Sequence, residues 1–399
     1  MEKYTKENPL KVFTTFSGYD SQCLALKKGG IPFELVGWSE IEKRAIDAHN
    51  VLFPEYVDKN YGDICKIDWK NVPDFDFFTY SSPCQSFSIC GKKMGGEEGS
   101  GTRSSLLWEC KKAIEIKRPK YLMLENVKNL VGNKFYPTFK KWLDFLDSLG
   151  YTSYWKVLNG ADYGIPQARE RVFVVSILNP ESDFEFPRPI ESKLCMNDFL
   201  QEPHEIPEKC YVSQVCIDEY VRNNPNILKF AGETNDTIPT TTKKKNESSK
   251  YEDVVKKGKQ NEFVSQTVKN MDEDFETDIF GGSPSETKID MFPQIMQIGN
   301  IRIDRSTFPN PQSTRIYSPK GYAPTFTLVY APLILVKENG EYKVREMTGV
   351  EEMRLIGVEY DDVQKLVDMG LTNEKLCKLA GNSIVVDVMT HFYKEMLKV

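Results

Sequence analysis

No apolar run in the sequence approaches the roughly 18 residues that a membrane-crossing helix needs, and the opening stretch MEKYTKENPL has no basic segment leading into an apolar one. A cytoplasmic chain with no membrane partner is the expectation. Histidine is scarce, at His49, His204 and His391, and the nine cysteines include no C-x-x-C pair. Odd in number and irregularly spread, these cysteines exclude a regular disulfide framework and offer no zinc spacing, so reduced thiols and no metal are expected. Basic charge is not in excess either. The formal net charge is −6, which disfavours a nonspecific nucleic-acid binder, because phosphate affinity comes largely from Lys and Arg.

That average hides a split. Residues 241–260, TTKKKNESSKYEDVVKKGKQ, carry seven Lys against three acids, whereas residues 271–290 carry seven acids against one Lys. The lysine run reads equally as a local basic surface and as a solvated loop. With 40% hydrophobic and 28% charged residues the composition is that of a folded protein, and 399 residues exceed the roughly 250 to 300 over which single cores keep growing, so two domains are expected.

The first part of the chain alternates strands with helices. KVFTTF (11–16), FELVGWSE, DFDFFTYSS, KYLMLEN and RVFVVSIL (171–178) read as strands, the last a nearly continuous apolar run of the kind buried on both faces. Between them QCLALKKGG, IEKRAIDAHNVLF, SSLLWECKKAIEIK and FYPTFKKWLDFLDSLG have helical spacing, the first and last ended by glycine. This order implies an α/β fold with an open, mostly parallel sheet, whose ligands sit at the carboxyl ends of the strands. From about residue 180 prolines punctuate a polar stretch reaching about residue 310. Order returns at YAPLILV, TGVEEMRLIGV and a packed terminal helix within NSIVVDVMTHFYKEMLKV.

Gly18 follows KVFTTF, Glu40 follows FELVGW, Cys84 follows FFTYSS, Glu125 closes YLML and Asp63 sits in YGDI, and all five should share one rim. A glycine lets backbone approach a ligand, and an acid ending the second strand can accept both hydroxyls of a ribose. G-x-G-x-x-G is absent, since the turn reads FSGYDSQ. Pro83 holds the end of its strand rigid ahead of Cys84, and Gly91, Gly95, Gly96, Gly99 and Gly101 suit a mobile lid beyond it. As a nucleophile Cys84 would need help to become a thiolate; taken alone, it is better read as an inert cysteine in a turn. Glu125, approached by LML, reads as a turn cap or as a buried carboxyl with a raised pKa. Arg169 and Arg171 in QARER, taken alone, are solvated or ion-paired, and AGNS looks like the start of a helix capped by Asn382 or Ser383.

Taken together and in order, FSGYDSQ, SSPCQSFS, LENVKNL, QARER and AGNS, with RIYSPKGYAPTFT before the last, resemble the motif series of DNA (cytosine-5) methyltransferases of the bacterial or phage modification type. The likeness covers roughly residues 11–178 and 315–397. It implies a Rossmann-like class I methyltransferase sheet dependent on S-adenosyl-L-methionine, with a second, smaller target-recognition domain. The implied boundaries are 1–189 for the catalytic domain, 190–375 for the smaller one (target recognition at about 190–311) and 376–399 for a C-terminal helix returning to the catalytic domain.

The resemblance also implies roles. Cys84 would be the thiolate that adds to the cytosine ring, Glu125 would hold the ring nitrogen and amine, Arg171 the carbonyl oxygen, and Arg169 would sit between base, cysteine and backbone. Phe16, Gly18, Tyr19, Glu40, Ile41, Asp63, Ile64, Pro83, Asn382 and Ser383 would line the cofactor. Where the family's first motif carries further glycines, this chain has Asp20 and Ser21. Double-stranded DNA with a flipped cytosine is the implied substrate, a separately encoded restriction endonuclease an implied partner, and a monomer the expected state. Two alternatives share the sheet: a transfer-RNA cytosine-5 methyltransferase, against which the long middle region speaks, and an inactive DNA-binding regulator, against which the intact Cys84, Glu125, Arg169, Arg171 and Asn382 speak.

Overall fold

The structure, a computed structural model, describes residues 4–83, 103–230, 294–300, 314–328 and 330–398. Six strands form the main sheet: β1 (Leu10–Thr15), β2 (Phe33–Ser39), β3 (Phe77–Tyr80), β4 (Tyr121–Val127), β5 (Tyr151–Asn159) and β6 (Glu170–Leu178), in the order β2-β1-β3-β4-β6-β5. The first four run parallel, and β6 runs antiparallel to both β4 and β5. The mostly parallel sheet expected from the sequence is present. Its continuous apolar strand, RVFVVSIL, is buried as expected but pairs antiparallel, and β5 on the edge has no counterpart among the strands read from the sequence.

Period-two alternation divides the core. Val12, Phe77, Met123, Phe173 and Val175 point to one face; Phe13, Phe78, Leu122, Leu124, Val172 and Val174 point to the other. The first face is covered by α1 (Ser21–Lys28) through Leu24 and Leu26, by α2 (Lys43–Leu52) through Ala45 and Ala48, and by the terminal helix α9 (Val386–Leu397) through Val388, Met389 and Phe392. The second is covered by α3 (Cys110–Lys117) through Ala113 and Ile114 and by α4 (Tyr136–Ser148) through Phe139, Trp142 and Leu146. The result is the three-layer solution required by a sheet apolar on both faces.

Beyond β6, α5 (Gln214–Asn223) precedes a smaller sheet of β7 (Gln297–Asn300), β8 (Arg315–Tyr317), β9 (Leu333–Glu338) and β10 (Glu341–Glu346) in the order β10-β9-β8-β7. β9 alternates between two clusters: Leu333 and Leu335 join Ile217, Ile227, Ile316 and Val344, while Ile334 and Val336 join the main core. Asn339 and Gly340, both at positive φ, make the two-residue turn into β10. Three helices then lead to α9: α6 (Gly349–Arg354), α7 (Tyr360–Asp368) and α8 (Asn373–Asn382). The AGNS segment corrects the sequence reading. Asn382 is the last residue of α8 and Ser383 its C-cap, so the segment ends a helix, and α9 begins after Val385 with no side-chain cap.

Candidate active site at the carboxyl rim of the sheet

Because β1 to β4 are parallel, their carboxyl ends lie on one rim. β6 runs the other way, so it brings its beginning to that rim: Arg171 pairs with Val127, and Phe173 with Glu125. The antiparallel turn of the sheet is therefore what places QARER beside LENV.

After β1 the chain makes a left-handed turn in which Phe16, Gly18 and Asp20 all have positive φ, at 52°, 59° and 69°. A Cβ added at Gly18 would meet nothing within 4 Å, so the backbone there faces open space. Asp20 stands where the family's motif has glycine. It tolerates the left-handed conformation because its short side chain finds local partners: it accepts from the Thr14 hydroxyl at 2.9 Å and from the Cys23 N–H at 3.1 Å, the latter capping α1. His49 Nε2 lies 3.5 Å from the same carboxylate, its ring stacked on Trp38 at 3.7 Å.

Glu40, just past β2, is fixed by three backbone donors. Gly18 N–H donates to Oε2 at 3.0 Å, and the N–H groups of Ile41 and Glu42 both donate to Oε1 at 2.8 Å. Ile41 beside it is 71% exposed, an apolar side chain held out at the rim. Asp63 caps a short turn of 3-10 helix by accepting from Cys65 N–H at 3.1 Å, and Ile64 is buried behind it. These residues of the first three expected ligand-facing segments thus come together, with Gly37 making room: a Cβ there would lie 2.5 Å from the Phe13 ring and 2.7 Å from that of Tyr61.

Tyr19 is placed differently from a rim residue. It is buried, and its hydroxyl meets that of Ser383 at 2.5 Å, so the turn after β1 is tied to the end of α8. Burial pushes the Tyr19 phenol well up from its ordinary value, against the pull of the Ser383 hydroxyl and of Arg169. Arg169, also buried, donates to the carbonyl oxygens of Gly381 and Ser383, a cation at a helix carboxyl end. Asn382, between those two carbonyls in sequence, is exposed.

On the other side of the rim Glu125, 7% exposed, ends the parallel run. Arg171 Nε lies 3.3 Å from its Oε1. Burial pushes the Glu125 carboxyl above the usual carboxylate range, and Arg171 and then Arg169 pull it partly back. Pro83 is half-buried after β3, and the residue before it is anchored, since Asn126 Nδ2 donates to the Ser82 carbonyl at 3.1 Å. Cys84 and the glycines Gly91, Gly95, Gly96, Gly99 and Gly101 lie outside the described residues, as does the lysine run 241–260. Among the described residues no helix is long and apolar enough to cross a membrane. Two asparagines did not emerge as site residues from the sequence: Asn126, which anchors the strand leading to Cys84, and Asn60, whose amide contacts Glu40. Asn126 adjoins Glu125 and had at least its motif to mark it; Asn60 had no local signal.

The sequence profile of the C-5 cytosine-specific DNA methylase family matches residues 10–398, and the chain belongs to that family. It is 34% identical to the type II methyltransferase M2.ScrFI of Lactococcus lactis subsp. cremoris, in an alignment that covers 98% of this chain and 99% of the relative. It is 39% identical to the type II methyltransferase M.HaeII of Haemophilus aegyptius over 44% of this chain and 53% of that one. The fold is similar to that of the Entamoeba histolytica methyltransferase EhMeth, with a TM-score of 0.61 at 15% identity over 98% of both chains. The protein is a DNA cytosine-5 methyltransferase with a Rossmann-like methyltransferase sheet, dependent as its family is on S-adenosylmethionine.

Proposed function

We propose that methyl transfer proceeds through a covalent adduct of Cys84 with a cytosine flipped out of duplex DNA, with Glu125, Arg169 and Arg171 forming the base pocket. The observation that carries this reading is the ion pair of buried Glu125 with half-buried Arg171 at the rim, next to the anchored strand end that leads to Cys84. Ring carbon five of cytosine is a poor nucleophile. Addition of the Cys84 thiolate to carbon six forms a sulfur–carbon bond and leaves the electron pair at carbon five, where the methyl group is accepted. Loss of the carbon-five proton to a base and cleavage of the sulfur–carbon bond then restore the thiolate. Glu125, held above the ordinary carboxylate range, is suited to present a proton to the ring nitrogen; Arg171 is placed to hold the carbonyl oxygen as charge develops. The target atom is out of reach inside a stack, and unstacking costs a few kcal/mol.

When bound, S-adenosyl-L-methionine supplies the methyl group from its sulfonium and is left as S-adenosyl-L-homocysteine. The residues fit such a nucleoside. Open space before Gly18 admits it, the fixed Glu40 carboxylate is an acceptor for hydroxyls, and exposed Ile41, buried Ile64 and Asp63 offer an apolar wall with an acid beside it. Phe16, Pro83, Asn382 and Ser383 are read as completing the same rim, and the bond between the Tyr19 and Ser383 hydroxyls supports Tyr19 as a brace behind it. Target reading is assigned to the region of about 190–311 within a smaller domain of 190–375, and the chain is taken to act as a cytoplasmic monomer, paired with a separately encoded endonuclease where one exists.

The test is transfer of labelled methyl to unmethylated duplex DNA and to transfer RNA, with wild type and Cys84→Ser, followed by identification of the modified base. 5-Methylcytosine in DNA that disappears with Cys84→Ser is expected. Transfer that survives Cys84→Ser would remove the adduct from the mechanism.

A further inference from the structure

β2 is the edge of the main sheet, and its ladder with β1 ends at Ser39. Glu40, one residue further, therefore has no strand to receive its backbone groups, yet its carboxylate is the acceptor proposed for the cofactor's hydroxyls. One side chain supplies what is missing. Asn60 lies beside Trp38 in an isolated parallel bridge, and Tyr61 N–H donates to the Trp38 carbonyl at 2.7 Å. From there the Asn60 amide reaches Glu40 twice: Glu40 N–H donates to Oδ1 at 3.3 Å, and Nδ2 donates to the Glu40 carbonyl at 3.2 Å.

The same Oδ1 accepts from Gly62 N–H at 2.9 Å. Gly62 is left-handed, with φ 68°, and its carbonyl accepts from the Ser39 hydroxyl at 2.6 Å, so the turn is held from both sides immediately before Asp63. A primary amide is the group this junction needs. It accepts from two N–H groups and donates to a carbonyl at once, whereas a carboxylate has no donor and a serine hydroxyl has too short a reach.

We propose that Asn60 is a positioning residue for the cofactor, its amide standing in for an absent strand and fixing Glu40 and Asp63 relative to one another. This rests on reading Glu40 and Asp63 as the acids that hold the nucleoside. Preorganised acids bind a ligand without a cost for ordering them, so loosening the junction falls on cofactor affinity before it falls on the chemical step.

The experiment measures S-adenosyl-L-homocysteine binding by calorimetry, and KM for S-adenosyl-L-methionine and for DNA with kcat, in wild type, Asn60→Ala, Asn60→Asp and Glu40→Ala. Asn60→Ala is expected to raise the Kd and the cofactor KM about tenfold or more, with kcat at saturating cofactor and the KM for DNA within about twofold of wild type. Asn60→Asp keeps the two accepting contacts and loses the donated one, so it should fall between, and it carries the test if Asn60→Ala does not fold. Wild-type cofactor affinity in the Asn60 variants, with Glu40→Ala impaired, overturns the proposal alone. Unchanged affinity in Glu40→Ala overturns the underlying reading of the site. An equal rise in both KM values marks a merely structural residue and also overturns the proposal.

Discussion

On the β1–β2 side of the rim, Glu40 is met by three backbone N–H groups and its own backbone by the Asn60 amide; on the β4–β6 side, Glu125 is buried against Arg171, with Arg169 close enough to influence it. The first arrangement holds a carboxylate with neutral dipoles whose positions follow from chain geometry. The second relies on charges removed from water, where each depends on its partner to offset desolvation. The difference teaches where sequence change is tolerated. A turn held by neutral dipoles can be rebuilt with another residue that adopts the same backbone. A buried charge cannot be exchanged without leaving its partner exposed to the low dielectric.

The largest effect should therefore come from Glu125. Glu125→Gln preserves shape and removes the charge and the proton, and is expected to lower kcat by about 10²- to 10³-fold with cofactor affinity retained. Single-turnover methylation and homocysteine-analogue binding separate the two. The same variant has a pH signature. Because the folded protein holds the Glu125 proton more tightly than the unfolded chain does, this carboxyl contributes no penalty below the ordinary carboxylate pKa of about 4.3, and a full penalty above its raised value. Wild type should thus lose stability relative to Glu125→Gln as pH rises through that window, read from urea midpoints. A constant difference across pH would show that the carboxyl is not perturbed.

The tolerant side is sharpened by Asp20. Asp20→Ala places a Cβ residue without a local acceptor at φ 69° and removes the cap of α1, costing about 2 to 3 kcal/mol. Asp20→Gly removes the same cap but restores backbone freedom, and about 1 kcal/mol is expected. Denaturant midpoints in the order wild type, Gly, Ala support the view that conformation and not charge is what the position requires; Ala equal to Gly would place the cost in the lost carboxylate instead.

Much of this arrangement was legible in the sequence, and the parts that were not share a cause. β1 to β4 and β6 announced themselves because both faces are buried, so each carries a run of apolar, β-branched or aromatic residues. β5, YTSYWKVLN, lies on the edge with Ser153 and Lys156 half-exposed, and its pattern is too mixed to read as a strand. The β9–β10 hairpin carried an Asn-Gly signal that lay inside a region read only as returning to order. For the site, strand ends pointed to Glu40 and Glu125, but Arg169 and Arg171 lie at the beginning of their strand, and only its antiparallel direction brings them to the rim. AGNS lies between two helices, where a polar residue can close one or open the next. Asn60 was beyond reach because its partners are set by tertiary contact 20 residues away.

The smallest effect tests how far the two sides are joined. Tyr19 belongs to the turn after β1, Ser383 to the end of α8, and the Ser383 carbonyl also receives Arg169 from the base side. Tyr19→Phe removes one hydroxyl and leaves the ring in its buried place, stranding the Ser383 hydroxyl, which keeps only its bond to the Ile384 carbonyl at 3.1 Å. A cost of about 1 kcal/mol in stability is expected, the ordinary net worth of a buried hydrogen bond. If the contact only braces the fold, KM for cofactor and for DNA should each shift by less than about threefold and independently of the other ligand. If it transmits order across the rim, bound S-adenosyl-L-homocysteine should strengthen DNA binding less in Tyr19→Phe than in wild type, and by reciprocity DNA should strengthen homocysteine-analogue binding less by the same factor. The size of that factor relative to wild type is what decides: linkage makes the two orders of addition agree in any case, and a coupling factor equal to that of wild type would show that the contact only braces the fold.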